Sequence, residues 1–326
     1  MKFLYSHRTR AADGQRVHIS SMIHALKARG HEVFTAERSP VVTAPAGGLN
    51  ANDERSLRAF LPAPVYECAE YGYSVPAYWR LMDAAKRTAP DVLYERYNLF
   101  YMSGVWAKRR LGLPMILEVN APLAEERAAH DGLALKSFAR RCEQAVWRAA
   151  DMVLPVSAVL AERIAAAGVP EDRIEVIHNG ADESFLNLAG PSSVRARYGL
   201  EGKLVLGFAG FVRDWHGLDR AVRFLARSGR ENVHLLIAGD GPARAGLEKL
   251  AAELGVSARV VFAGVVQRAD MPSHAAAFDI ALQPAAVAYA SPLKLFEYMA
   301  QGKAILAPDQ ANIREVLTDG ADALLF

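Results

Sequence analysis

Residues 1–36 read MKFLYSHRTRAADGQRVHISSMIHALKARGHEVFTA, and this stretch decides the fold class. Lys2–Ser6 is a short run of strand formers. Gln15–Arg29 then places Val17, Ile19, Met22, Ile23 and Leu26 near the spacing of one helix face. Gly30 stands where a helix C-terminus favours a residue free to take positive φ, and His31–Ala36 starts a second strand. The same grammar continues along the chain. Strands are expected at Asp91–Glu95, Pro114–Val119, Asp151–Val156 and Ile174–Ile177. They resume at Leu204–Ala209, Val233–Ala238, Val260–Ala263, Ile280–Gln283, Ala304–Ala307 and Ala323–Phe326, with longer patterns between. Such alternation predicts an α/β protein of doubly wound parallel sheets. Glu183–Ser193, with Gly190, Pro191 and the pair Ser192-Ser193, shows no periodicity and places a linker between domains 1–189 and 190–326. Pro40–Asn50 reads as a loop. Two sheets in tandem can turn their binding crevices toward one cleft.

Composition bounds the function. A chain of 326 residues suits two domains, and 52% hydrophobic with 23% charged residues is ordinary for globular proteins. Lysine plus arginine total 38 against 36 acids, so a net charge of +2 gives no draw toward nucleic acid. With only Cys68 and Cys142, neither a disulfide scaffold nor a cysteine-based zinc site is available. The first eight residues do not form a signal peptide, and no stretch approaches the ~18 apolar residues of a membrane helix. A reduced, cytoplasmic protein is expected. Lys108-Arg109-Arg110, Lys136, Arg140, Arg141 and Arg148, with the amphipathic stretch 133–149, would suit peripheral attachment at the inner face of a membrane. Solvated helix faces account for the same residues.

The most informative chemistry lies in Tyr289-Ala290-Ser291-Pro292-Leu293-Lys294-Leu295-Phe296-Glu297, continuing to Gly302-Lys303. Ser291 and Pro292 make an N-cap and first-turn pair, and Gly302 ends the helix. The free amides of Leu293 and Lys294 would suit a phosphate. Lys294 and Glu297 share a helix face, where they could hold a diphosphate and ribose hydroxyls or simply form a solvated pair.

This segment resembles the donor-site helix of family 4 retaining glycosyltransferases, which have the GT-B fold of two Rossmann-like domains facing a cleft. The resemblance implies a ribose contact for Glu297. The family's first glutamate, eight positions earlier, contacts the transferred sugar; here that position is Tyr289. Leu206–Gly217 resembles the strand-loop that brings an arginine and a lysine to the donor phosphates, with Arg213 in the arginine's place and His216 in the lysine's. Ile237-Ala238-Gly239-Asp240-Gly241-Pro242 resembles the glycine turn beside the nucleotide, and Val261–Val265 the loop that meets the base. Each alone is weak, since glycine after a buried strand usually makes a turn. Their joint order is the specific signal. In the first half, Gly30-His31-Glu32-Val33 and Ile174–Asp182 resemble family junctions. The loop Arg8–Gly14 carries one glycine, Gly14, in place of the usual pair. Asn120 lies near the place of a sugar-contacting histidine, and Glu118 stands beside it on the sugar or acceptor side.

The resemblance implies sugar transfer with retention from a nucleotide-diphosphate sugar to a glycan, lipid-linked or small-molecule acceptor. It implies no metal and no cofactor beyond the donor substrate. Arg213, His216 and Lys294 would carry the catalysis. Gly14, Gly239, Asp240, Gly241, Val265, Ser291, Pro292, Leu293 and Glu297 would hold the donor. A catalytically reduced nucleotide-sugar-binding or partner protein is the rival reading, motivated by Tyr289 and Asn120. A nicotinamide-dependent dehydrogenase is rejected, because Ala243 and Arg244 follow Gly241 and Ala258–Val261 supplies no acid. A nucleotide-sugar epimerase fits the motifs less well. Ala323–Phe326 reads as a parallel strand with no helix after it, so a shortened second domain is expected.

Overall fold

The computed structural model describes residues 1–8, 14–36, 61–130, 132–186 and 192–326. It divides into two compact units, Met1–His178 and Asn179–Phe326. The expected boundary after residue 189 falls outside the described residues. The segment before it belongs to the second unit, because Phe185 is fully buried in that unit's core and Asn179 bonds to Ser291. The expected loop 40–50 also lies outside the described residues.

The first unit opens with β1 (Lys2–Ser6), α1 (Gly14–Ala28), β2 (Glu32–Thr35), α2 (Ala63–Gly72) and α3 (Ser74–Thr88). It continues with β3 (Val92–Arg96), α4 (Ser103–Leu111), β4 (Met115–Val119), α5 (Leu123–His130), α6 (Lys136–Ala149), β5 (Met152–Pro155) and α7 (Ala158–Ala166). All strands pair in parallel, in the order β2-β1-β3-β4-β5. β3 is buried at every residue, as a central strand covered on both faces must be. Local chemistry sets the helix ends: the Ser157 hydroxyl accepts from the Leu160 amide at the start of α7, and α4 stops at Gly112 with φ 68°. Ile174–Ile177 is not a strand. Only a bridge joins Ile174 to Val153, with the amides of Glu175 and Ile177 on the Val153 and Pro155 carbonyls. None of its residues is buried, so no packing extends the ladder.

The second unit contains α8 (Ser192–Tyr198), β6 (Leu204–Ala209), α9 (Leu218–Arg227), β7 (Val233–Ala238), α10 (Arg244–Glu253) and β8 (Val260–Phe262). After these come α11 (Met271–Ala276), β9 (Ile280–Leu282), α12 (Leu293–Ala300), β10 (Ala304–Ala307), α13 (Ala311–Arg314) and β11 (Ala323–Leu325). The sheet is again parallel, in the order β11-β10-β9-β6-β7-β8. Alternate residues feed two cores. Val205, Leu236 and Ala281 pack on one face with Leu295 and Tyr298 of α12, while Leu206, Phe208, Leu235 and Ile237 pack on the other with α9 and α10. In α9, Leu218, Ala221, Val222 and Leu225 form the buried stripe, and each such leucine contributes roughly 1.5–3 kcal/mol.

Strand order reverses between β1 and β3 in the first sheet and between β6 and β9 in the second. Open parallel sheets bind ligands beyond the carboxyl ends of the strands at these points. Among the described residues no helix is long and apolar enough to cross a membrane.

Candidate functional site

At the reversal of the second sheet, the loop after β6 carries Arg213 between two exposed rings. Its guanidinium carbon lies 4.7 Å from the centroids of both Phe211 and Trp215. Stacking of this kind fixes the plane of the guanidinium and leaves its N–H edge available. No carboxylate pairs with it among the described residues. His216 Nδ1 accepts from the Arg213 amide at 3.3 Å, and the ring packs against Phe208 at 5.2 Å. Burial, then the positive charges of Lys294 and Arg213, pull the imidazole down to about 3. His216 is therefore a neutral hydrogen-bonding group at pH 7.

Lys294 rises from the first turn of α12 and sets its ammonium 3.9 Å from the Phe208 centroid. The residue keeps some surface, but its ammonium is enclosed; burial pushes it down to about 7 against the opposing pull of Glu297. Leu293 begins the helix, and the first amides of a helix have no acceptor within it. Glu297, one turn further, is largely buried and accepts from Arg268 Nη1 at 2.5 Å, with Arg268 stacked over Phe185 at 4.9 Å.

Ser291 does not cap this helix. The N-cap is Pro292, in an extended conformation (φ −68°, ψ 115°), and no side chain caps it. The Ser291 hydroxyl instead accepts from the Asn179 amide at 3.2 Å, and its carbonyl accepts from Asn179 Nδ2 at 2.6 Å. The preceding loop is held by Asn312, whose Nδ2 donates to the carbonyls of Val287 and Ala290. Tyr289 is buried on this loop.

The glycine turn after β7 has a structural reason for its composition. A Cβ on Gly239 would stand 1.9 Å from the Gly210 carbonyl oxygen, and one on Gly241 would stand 2.2 Å from that of Val212. Only glycine permits this approach of the loops after β6 and β7. Asp240 accepts from the Gly241 amide at 2.7 Å and from Arg244 at 2.9 Å. Val265, after β8, is 68% exposed.

In the first unit, Glu118 at the end of β4 is an enclosed hub. It pairs with Arg96 and with His18 Nε2 at 3.0 Å. It also accepts from Asn120 Nδ2 at 2.6 Å and the Tyr94 hydroxyl at 3.1 Å. Burial alone would raise this carboxyl, but the His18 hydrogen bond and the Arg96 charge outweigh it and hold it down at about 2. Its oxygens thus hold Asn120 and Arg96 in place at the end of β4. Gly14 opens α1, while residues 9–13 of its loop lie outside the described residues.

The structure thus gathers Arg213, His216, Lys294 and Glu297 with Ser291 around β6 and α12, and sets Asn120 and Glu118 in the other unit. Sequence reasoning missed Arg268, Asn179 and Asn312, and also Arg96 and His18. Each meets its partner from a distant element, so no spacing could reveal it.

Family models match both units of the chain. A model described as Glycosyltransferase Family 4 matches residues 12–185, and one described as Glycosyl transferases group 1 matches residues 203–326. The chain belongs to glycosyltransferase family 4. This family member is 27% identical over 261 residues to a D-inositol 3-phosphate glycosyltransferase of Nocardia farcinica, covering 72% of the chain and 55% of that relative. It is 34% identical over 128 residues to a 2-deoxystreptamine glucosyltransferase of Streptomyces kanamyceticus, covering 37% of the chain and 33% of that relative. The chain therefore matches about half or less of the length of these curated relatives. Among solved structures, Anabaena Alr3699/HepE in complex with UDP-glucose superposes with a TM-score of 0.76 at 19% identity, covering 100% of this chain and 85% of the other. WaaG, involved in lipopolysaccharide biosynthesis, superposes with a TM-score of 0.63 at 17% identity and covers 100% and 85%. The fold is that of GT-B glycosyltransferases.

Proposed function

We propose that the family member is a metal-independent, retaining glycosyltransferase that moves a sugar from a nucleotide-diphosphate sugar to a glycan, lipid-linked or small-molecule acceptor. One observation carries this reading: Arg213, Lys294 and the first amides of α12 gather at the strand-order reversal of the second sheet, with the Glu297 carboxylate one turn further along. That set matches a diphosphate followed by a ribose diol. In the reaction the bond from the anomeric carbon to the diphosphate oxygen breaks and a bond from the acceptor oxygen forms on the same face. The acceptor proton passes to a phosphate oxygen of the leaving diphosphate. Arg213 and Lys294 stabilise the charge that develops there, and His216 contributes a neutral hydrogen bond. The proposed setting is the cytoplasm, at the inner face of a membrane if the acceptor is lipid-linked.

A second reading, a nucleotide-sugar-binding protein of reduced activity, is favoured by Tyr289, buried where the family's first glutamate stands. Nucleotide release from a nucleotide-sugar panel, with a crude glycolipid or polysaccharide acceptor and with or without EDTA, separates the two. Acceptor-dependent release that survives EDTA is expected. Binding without release would support the second reading. Glu297→Ala is expected to weaken donor binding about tenfold or more. Unchanged affinity would remove Glu297 from the ribose role.

A further inference from the structure

The start of α12 departs from what its own sequence favours. In Ser291-Pro292 a serine stands where a cap is wanted and a proline stands at the first helical position. Capped in that way, the helix would take two groups from Ser291. Its hydroxyl would accept from the Leu293 or Lys294 amide, and its carbonyl would accept the first helical bond, from the Leu295 amide. The structure shows neither bond. Pro292 is extended, with ψ 115°, no side chain caps the helix, and the Leu295 amide bonds to the Pro292 carbonyl at 3.0 Å.

Both groups of Ser291 are taken by Asn179, the first residue of the second unit. Its amide donates to the hydroxyl at 3.2 Å, and its Nδ2 donates to the carbonyl at 2.6 Å. Asn312 of α13, 2% exposed, holds the same loop through the carbonyls of Val287 and Ala290, at 3.1 and 2.7 Å. Asn179 Oδ1 is enclosed and has no donor among the described residues. An unsatisfied buried acceptor lowers stability, and so does a helix start left without its cap. Local rules broken together at one place are the mark of a functional site.

What is gained lies in the amides. Pro292 has no N–H and the Leu295 amide is bonded, which leaves those of Leu293 and Lys294 at the helix end. A capping serine would occupy one of the two. We infer that Asn179 is a positioning residue of the proposed donor site: by holding Ser291 away from α12, it keeps the Leu293 and Lys294 amides open to a diphosphate. That these amides receive a diphosphate rests on the donor reading above; that Asn179 prevents the cap does not.

Asn179→Ala, Ser291→Ala and the double variant of the full chain test this with two readouts. Hydrogen exchange of the Leu293 and Lys294 amides, followed by NMR, reads the cap, and titration with UDP reads the site. Asn179→Ala frees the Ser291 carbonyl for Leu295 and lets the hydroxyl turn to the helix. Exchange at one of the two amides is expected to slow about fivefold, and UDP affinity to fall about fivefold. The double variant has no hydroxyl to cap with, so it is expected to match Ser291→Ala in both readouts. A merely structural role would instead leave the double variant weaker than Ser291→Ala by the same factor, and that result would overturn the inference. Slowed exchange with undiminished UDP affinity would overturn it too. Unchanged exchange in Asn179→Ala would overturn the cap competition while UDP binding leaves the donor reading standing. Exchange that follows the cap in a chain that binds no UDP would support the competition for Ser291 and remove the donor reading.

Discussion

Lys294 shows how one side chain can be tuned by what surrounds it. Its ammonium lies on the face of Phe208, near Arg213 and the neutral His216, and burial brings it down to about 7. A diphosphate bound there would favour the charged form and raise that value. The sign follows: above about pH 7 the free protein has lost a proton that the complex regains, so donor affinity falls as pH rises. Titrating UDP at about pH 8.5 in buffers of different ionisation enthalpy is expected to show proton uptake, absent in Lys294→Met. Proton-neutral binding by the parent chain would place Lys294 away from the diphosphate. Sequence reasoning paired Lys294 with Glu297 because their spacing on one helix face is visible in the chain, and named His216 from the resemblance of its loop to the family's. Arg268, which holds Glu297 from 29 positions away, has no such trace.

At the scale of elements, α12 is anchored to β6 by one buried hydroxyl. Tyr298 accepts from the Ala209 amide at 2.9 Å, the last residue of the strand that leads into the Arg213 loop. Tyr298→Phe leaves that amide without a partner inside the core and is expected to cost about 1–3 kcal/mol. Because the bond joins both halves of the proposed donor site, UDP affinity should fall with it. Urea unfolding and UDP titration measure the two effects, and a variant with unchanged stability would show that the anchor is dispensable. Alternation of apolar runs made β6, β7 and β10 legible to the residue. The start of α12 was misplaced by one position because Ser291-Pro292 resembles a cap, while the Ser291 hydroxyl is in fact taken by Asn179. Competition from a distant donor cannot be read from local sequence.

Across the whole molecule, two doubly wound parallel sheets were legible from strand alternation, but their strand order and the electrostatics of the units were not. The first unit buries Glu95 and Glu143, and burial raises them to about 8 and 7. Each binds a proton in the folded state that the unfolded chain has released above its ordinary value of 4.5, so stability falls as pH rises through that window. The second unit carries Lys294 at about 7, against 10.5 when unfolded, and Lys303 shifted the same way. There the unfolded chain holds the extra protons, and stability rises with pH. Each group contributes up to about 1.4 kcal/mol per pH unit within its window. Raising the pH from about 6 to about 8.5 should therefore weaken the first unit and strengthen the second. Pulse proteolysis in urea, with fragments assigned to residues 1–178 and 179–326, reads the units separately. Midpoints moving in the same direction would show that these buried groups do not govern the stability of either unit.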